Sequence, residues 1–488
     1  MTYAFIFDAS ACTGCKACQV ACKDKNNLPK GILWRRVYEI SGGSWHKAGK
    51  AWQTDVFAYN LSLACNHCEH AICAGVCPVN AYTKREDGLV ILDIDKCIGC
   101  RYCSWACPYG APQYNPAAGH MTKCNFCVDN LEAGEPPACV AACPMRVLDY
   151  GEQEAILSQT GGRAEIYPMQ QVNKREPNVF IQPHQSVKRG AAEGTVANWE
   201  EIAPHKEGKF DEAPLVAFSL LTQMAVGAFW TIELIYLAFS SITLLYNHPF
   251  DSRVTDLPAR LTLTSVLTIG PLLGIALLVS FLHLGTPRNA WRALANLGNS
   301  WLSREILFVG LFGIGWALTA FWQLTQMEFL RVITGWLTAG LGAGLIYCMV
   351  RVYRFKTIPA WYGWRVMVGF FASALLLGRL LVISILALES LRPANNTYFA
   401  DSFQGAGWGV VVLLGVQLAL ALSARQNAHR GTRRLRLGLI LTGIGLGAAL
   451  TIVPSSVGIW LIFPIFIIAS LEEVLGRWLF YTSRERLM

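Results

Sequence analysis

The chain has 488 residues, of which 53% are hydrophobic and only 15% charged, with a mean hydropathy of +0.34. Soluble domains usually carry about 25% charged residues, so the composition argues against a purely soluble enzyme. The net charge of +8 is uneven: residues 1–213 hold 21 Lys/Arg against 23 Asp/Glu, and residues 214–488 hold 20 against 10. The basic excess therefore belongs to loops between apolar segments and does not point to a nucleic-acid binder.

All but one of the 17 cysteines precede residue 144. The segment 1–10 lacks a basic stretch, an apolar run and a small-residue cleavage site, so no export signal is expected there. The cysteines form four groups of four. Cys12, Cys15, Cys18 and Cys22 are spaced C-x2-C-x2-C-x3-C, and Cys97, Cys100, Cys103 and Cys107 repeat that spacing before Pro108. Cys65, Cys68, Cys73 and Cys77 have a C-x2-C-x4-C-x3-C-P spacing, and Cys124, Cys127, Cys139 and Cys143 contain an eleven-residue insertion. Three closely spaced thiolates can wrap one cubane while the fourth, beginning a helix, serves a second cluster. Zinc sites use two pairs separated by a longer finger. The expectation is two ferredoxin-like modules with two [4Fe-4S] clusters each, four in all. Gly14, Gly99, Pro78, Pro108 and Pro144 serve the turns around them. His67 and His70 could replace a thiolate, as in Rieske centres, but a full cysteine set makes this the minor alternative.

Short alternating stretches at 34–37, 56–61 and 89–94 read as strands, giving a small α+β domain over residues 1–150. Residues 151–213, with Pro168, Pro177, Pro183 and Pro204, have little periodicity and are expected to wrap or tether. Residues 214–488 then form an all-α bundle of eight transmembrane helices, at about 215–245, 260–284, 302–325, 330–354, 365–390, 405–424, 434–454 and 457–481.

Eight spans put the N-terminus, the even-numbered loops and the C-terminus on one side. That side carries Arg288, Arg292, Arg304, Arg351, Arg354, Lys356, Arg365, Arg425, Arg430, Arg433, Arg434, Arg436, Arg484 and Arg486, against Arg253, Arg260, Arg331 and Arg392 opposite. The positive-inside rule then makes the cysteine domain cytoplasmic; a competing explanation is that some of these arginines dock the cysteine domain, whose clusters are anionic, and a periplasmic domain, exported folded with a signal-bearing partner, is the alternative. His283 ends the second span and Glu305 begins the third. A titratable pair at the membrane edge can accept the protons released by a quinol, although an interfacial His and a helix-start Glu would look the same. Glu233, Glu389, Glu472, Glu473 and Arg477 read as internal ion pairs or anchors, Arg379 needs a partner, and Cys348 reads as packing. His283 is the only histidine in or beside a span, so b-type haem is not expected.

The first 200 residues resemble the electron-transfer subunit of the bacterial dimethyl sulfoxide reductase family, through 12–16 (CTGCK), 65–69 (CNHCE), 84–88 (KREDG), 97–103 (CIGCRYC) and 106–115 (ACPYGAPQYN). The last 275 resemble the membrane anchor of the same enzymes, through 282–287 (LHLGTP), 349–353 (MVRVY), 358–362 (IPAWY) and 473–477 (EVLGR). The chain thus looks like a fusion of two subunits that are usually separate. The resemblance implies a nested pairing of the cysteine groups: Cys12, Cys15 and Cys18 with Cys143; Cys124, Cys127 and Cys139 with Cys22; Cys65, Cys68 and Cys73 with Cys107; and Cys97, Cys100 and Cys103 with Cys77. It implies a quinol site at His283 and Glu305, menaquinol as electron donor, and a separate catalytic subunit carrying a molybdenum bis-pterin cofactor that reduces S-oxides or N-oxides. Arg379 departs from the anchor pattern. The same modules run in reverse would suit a cytoplasm-facing dehydrogenase such as one oxidising sulfite, and a stand-alone redox sensor or transporter is a remote alternative. No P-loop, dinucleotide glycine pattern or nucleophile triad is apparent.

Overall fold

The computed structural model describes residues 2–160, 177–188, 195–196, 212–246, 257–356, 358–390, 400–423 and 430–482. Two compact units emerge. Among the described residues, the first takes the chain up to residue 208 together with Leu284–Ser300; the second takes residues 209–283 and 301–482. The segment Leu284–Ser300 lies inside the range expected for the membrane bundle, yet it packs within the cysteine-rich unit. It contains Arg288, Asn289, Arg292, Asn296 and Asn299, a polar stretch that no apolar periodicity ties to the bundle.

In the first unit, β1 (Tyr3–Asp8) pairs antiparallel with β10 (Leu148–Glu152), Phe5 opposite Tyr150, and parallel with β11 (Val179–Gln182), Phe5 opposite Val179. A second sheet pairs β2 (Arg36–Gly42) with β5 (Phe57–Leu63) and with the short β12 (Thr195–Val196). Segments beyond residue 150 thus supply an edge strand to each three-stranded sheet. Three hairpins complete the strands: β3–β4 (Trp45–Ala48, Ala51–Thr54), β6–β7 (Tyr82–Lys84, Val90–Leu92) and β8–β9 (Gln113–Asn115, His120–Thr122). The strand expected at 34–37 begins only at Arg36 and continues to Gly42, because Trp34 and Arg35 turn inward instead: Trp34 Nε1 donates to Thr122 Oγ1 at 2.9 Å, and Arg35 is buried.

The helices here are short because the cysteine motifs punctuate them. α1 (Ala17–Lys25) carries Cys18 and Cys22 and ends in Lys23 and Lys25, favourable at a helix C-terminus. α2 (Ile72–Val76) and α3 (Tyr102–Ala106) stop at Cys77 and Cys107, whose ψ angles of 117° and 118° are the extended values that a following proline demands. α4 (Val128–Glu132) and α5 (Ala138–Ala141) flank the insertion of the fourth motif. α1 packs on α5, and α2 on α3. α6 (Gln153–Thr160) and α7 (Gln185–Lys188) close the unit. Its core contains Phe5 stacked on Phe126 at 4.1 Å, with Tyr38, Ile40, Leu61 and Leu89 fully buried, each of the aliphatic side chains worth about 1.5–3 kcal/mol of burial.

The second unit contains, among the described residues, eight long helices: α8 (Ala213–Tyr246), α9 (Leu257–Phe281), α10 (Trp301–Leu324), α11 (Glu328–Tyr353), α12 (Trp364–Ser390), α13 (Ala400–Ser423), α14 (Arg430–Leu450) and α15 (Ser455–Thr482). Six are long and apolar enough to cross a membrane. The described apolar stretch of α9 is the shorter Val266–Phe281, and α14 opens with Arg430, Arg433, Arg434 and Arg436. α8 and α12 approach so closely that a Cβ on Gly227 or Gly378 would meet the other helix's backbone, the use that membrane helices make of small residues. Arg331, expected at the edge of the fourth span, is buried in the first turn of α11, where it pairs with Glu233 at 2.9 Å and lies over the Tyr236 ring. Arg379 finds its partner in a backbone carbonyl, that of Gly405, at 2.9 Å.

Candidate functional site

Each cysteine motif opens with the same backbone turn. The residue two after the first cysteine has a positive φ in all four: Gly14 (70°), His67 (40°), Gly99 (68°) and Phe126 (65°). That conformation turns its amide back toward the first sulfur; Gly99 N–H donates to Cys97 Sγ at 3.4 Å and Phe126 N–H to Cys124 Sγ at 3.3 Å. Ala81 N–H reaches Cys77 Sγ at 3.4 Å, and Cys18 Sγ lies 3.2 Å from Ser62 Oγ. Hydrogen bonds to sulfur are among the levers that set iron–sulfur potentials. The sequence assigned this turn to the two glycines only; it read His67 as a possible ligand and passed over Phe126, because their side chains disguise the shared turn. His67 accepts from the Val90 N–H at 3.0 Å through Nδ1, packs edge-on against Phe126 at 5.4 Å, and is held neutral by burial and by Lys123. These contacts use it as a core residue.

None of the seventeen cysteines forms a disulfide. Their electrostatic neighbours fall into sets that cross the sequence. The Cys12 thiol is pushed up by burial, with Cys18, Cys143 and Cys15 facing it. Burial and the neighbours Cys139 and Cys127 drive Cys22 up to about 12. Cys68 is raised by burial with Cys65, Cys107 and Cys73 around it, and Cys100 by burial with Cys77 and Cys97. Crowded, buried thiols of this kind ionise only for a cation, and metal binding releases their protons. Cys12, Cys15, Cys18 and Cys143 also line one cavity with Gly14, Val37, Ser62 and Pro144, about 340 Å³ including its open mouth. The donor chemistry and the cavity fit iron–sulfur clusters.

Further neighbours join these sets in a line. Cys18 faces Cys139, Cys124 faces Cys65, and Tyr82 faces both Cys103 and Cys73. The order runs from the set of Cys12 to that of Cys22, then Cys65, then Cys97. At the first end Cys15 is exposed. Between the first two sets sits Arg35, fully buried over the Phe5 ring at 4.5 Å and donating to Ser62. Burial opposes its charge, yet Cys139, Cys18, Cys124 and Cys22 hold it above its ordinary value.

The far end of the line is clasped by Leu284–Ser300, the connection between α9 and α10. Thr286 N–H donates to Ile98 O (3.2 Å) and its hydroxyl to Cys97 O (2.5 Å). Asn296 Nδ2 donates to Cys77 O (2.9 Å), Ser300 Oγ to Val76 O (2.8 Å) and Asn80 Nδ2 to Ala295 O (3.0 Å). The contact is backbone on backbone: a Cβ on Gly285 would overlap the Gly119 carbonyl, and one on Gly99 would overlap the same carbonyl.

In the second unit His283 is buried in the turn after α9, its amide donating to Ser280 O at 3.3 Å, and Glu305 is buried in α10. Glu305 has Cys348, Tyr353 and Tyr481 within electrostatic reach.

A cysteine-lined α+β unit joined to a bundle of apolar helices defines a membrane-anchored iron–sulfur electron-transfer protein. Similarity to known proteins narrows this class: a 4Fe-4S dicluster domain matches residues 56–153, and the DMSO reductase anchor subunit family matches residues 207–482, more than half of the sequence. This polypeptide belongs to the dimethyl sulfoxide reductase family, as an electron-transfer and anchor subunit in which the iron–sulfur part and the membrane anchor are continuous. The B subunit of anaerobic dimethyl sulfoxide reductase from Escherichia coli is 47% identical over 201 residues, 41% of this sequence and 98% of the relative. The thiosulfate reductase electron transfer subunit PhsB of Salmonella typhi is 35% identical over 209 residues (42% and 96%), and the B subunit of polysulfide reductase from Wolinella succinogenes 34% over 197 (39% and 97%).

Proposed function

We propose that this chain oxidises menaquinol in the membrane and delivers the electrons to a separate catalytic subunit that carries a molybdenum bis-pterin cofactor and reduces an S-oxide or N-oxide. The observation that carries the reading is the clasp: the loop joining the helices of His283 and Glu305 is hydrogen-bonded to the segments bearing Cys77 and Cys97, the terminal set of the cysteine line. Four [4Fe-4S] clusters are assigned to the four thiol sets, in the nested pairing; when bound they relay single electrons. The chain's own residues do the rest. His283 and Glu305 bind the quinol head and take its protons. The N–H···S bonds and Arg35 favour the reduced, more negative state of the groups they face. Cys15, at the open end, marks where the catalytic subunit receives electrons.

The bundle is proposed to cross the membrane eight times, α9 and α14 included, with the basic loops and the cysteine-rich unit on the cytoplasmic side. The DMSO-type substrate is favoured by the 47% identity to a dimethyl sulfoxide reductase subunit over the 35% and 34% to the thiosulfate and polysulfide reductase subunits. The test is to purify the complex from native membranes in mild detergent and measure iron and molybdenum together while identifying any large co-purifying subunit. About sixteen irons per chain, four for each cubane, with stoichiometric molybdenum are expected. Abundant iron with neither molybdenum nor a large partner after crosslinking would overturn the reading.

A further inference from the structure

Between β2 and β5 the chain leaves the cysteine-rich unit as an arm: every residue from Gly43 to Val56 is exposed, through β3, β4 and the turn that joins them. Trp45 pairs with Thr54, and Lys47 with Trp52. Residues opposite each other in an antiparallel pair share a face, as do residues two apart in one strand. Trp45, Lys47, Trp52 and Thr54 therefore stand on one side of the arm, and His46 and Gln53 on the other. The two indoles keep 63% and 64% of their surface exposed. The root of the arm is braced. The Ser44 amide donates to Asp55 Oδ1 at 2.6 Å and the Asp55 amide to Ser44 O at 3.3 Å, while Gly43, at φ 83°, lies so close that a Cβ would overlap the Asp55 carbonyl.

Apolar residues scattered singly over a surface need no explanation. Two tryptophans on one face of a two-stranded ribbon do, because such a ribbon is marginal in water by itself and tryptophan is among the residues enriched in interface hot spots. The arm springs from the strands that wall the open end of the cysteine line. Val37 of β2 and Ser62 of β5 line the cavity of Cys12, Cys15, Cys18 and Cys143. Asn60 Nδ2 of β5 donates to Cys12 O at 3.4 Å, and Glu39 of β2 pairs at 3.5 Å with Lys16, the residue after the exposed Cys15. At about 3.3 Å per residue, Trp52 stands no more than about 26 Å of strand beyond Asn60, so a folded subunit that grips the indoles also covers Cys15. The opposite end of the line is already covered by Leu284–Ser300, which leaves the Cys15 end for the acceptor of the electrons.

We propose that the Trp45–Trp52 face of this arm docks the catalytic subunit and holds its electron-accepting side over Cys15. The inference rests on the proposed delivery of electrons from the Cys12 set to a separate subunit. The partner surface that fits is an apolar recess taking both indoles, with a carboxylate at its rim for Lys47, the division between apolar centre and charged edge that protein interfaces show. Burying the indoles supplies the affinity, and the brace between Ser44 and Asp55 fixes the arm before the partner arrives, so that little ordering cost falls on binding.

The test uses the full complex in mild detergent, as wild type, as the double variant Trp45→Ser/Trp52→Ser, and as His46→Ser/Gln53→Ser on the opposite face of the arm. Each is diluted in steps, and the catalytic subunit that stays bound is followed by its mass and its molybdenum. The expected result is a dissociation constant raised by at least about thirtyfold in the tryptophan variant and unchanged in the opposite-face variant, with iron content and dithionite-reduced cluster signals at wild-type level in both. Wild-type retention in the tryptophan variant, or an equal loss in the two variants, would overturn the docking face, whatever change in self-association accompanied it. A wild-type chain that carries no molybdenum subunit at all would overturn the underlying reading instead. If the tryptophan variant loses iron, the wild type alone decides: hydroxyl-radical oxidation of Trp45 and Trp52 is compared between the complex and the full chain stripped of the catalytic subunit. Protection of both indoles in the complex is expected, and equal oxidation in the two samples refutes the proposal.

Discussion

Replacing Gly285 by alanine tests the clasp at its tightest point. The new Cβ would overlap the Gly119 carbonyl and lie 2.8 Å from the Tyr114 hydroxyl. Two of the three nearest atoms are backbone, those of the Gly119 carbonyl, so the loop itself must move. Overpacking of this kind costs about 1–3 kcal/mol. Moving the loop forfeits the Thr286 amide bond to Ile98 and the Thr286 hydroxyl bond to Cys97, about 1 kcal/mol each. The sum, about 3–5 kcal/mol, is carried by the first few residues of the loop, because Asn296 and Ser300 still hold the far end to Cys77 and Val76. At about 1.4 kcal/mol per tenfold, protection of the Thr286 amide against hydrogen exchange should fall by about two to three and a half powers of ten, or to the limit set by unfolding. Iron content and viologen-driven activity should hold while quinol-driven turnover falls about tenfold. Gly298→Ala, in the same loop but with open space around its Cβ, is the matched control. Unchanged Thr286 protection and unchanged quinol turnover in Gly285→Ala would refute the reasoning.

Arg35→Met removes the buried cation between the sets of Cys12 and Cys22; their redox midpoints should drop by tens of millivolts, about 59 mV being tenfold for one electron, as read by potentiometric titration with EPR. His67→Asn keeps a residue tolerant of positive φ and should leave cluster signals and iron content unchanged, whereas a ligand role would alter the spectrum. Arg331→Met strands the buried Glu233 carboxylate and should destabilise the bundle by about 3–5 kcal/mol in detergent unfolding, and Glu233→Leu added to it should restore most of that loss.

The cysteine frame was legible because ligand spacing is local: groups, turns and terminal prolines all follow from residues a few positions apart. The same spacing hid the role of His67 and Phe126, since a left-handed turn is advertised by glycine and concealed by a side chain. The strand expected at 34–37 was displaced because Trp34 and Arg35 are drawn inward by Thr122 and Ser62, contacts that no local pattern announces. In the bundle, hydropathy located the helices but said nothing of which side chains meet. Glu472, Glu473 and Arg477 could be suspected as internal ion pairs. The bonds of Glu473 to Ser373 and Gln417 depend on three helices packing together, as the docking of Leu284–Ser300 depends on a polar loop finding backbone carbonyls in another part of the sequence.

The central claim is that quinol is oxidised by this protein and its electrons enter the cysteine-bound clusters. The direct measurement is anaerobic addition of menaquinol to the purified complex without terminal acceptor, following the clusters by EPR in the wild type and in Glu305→Gln. Reduced-cluster signals in the wild type, absent in Glu305→Gln although dithionite produces them in both, are the predicted result. Clusters that dithionite reduces but menaquinol leaves oxidised in the wild type would contradict the account.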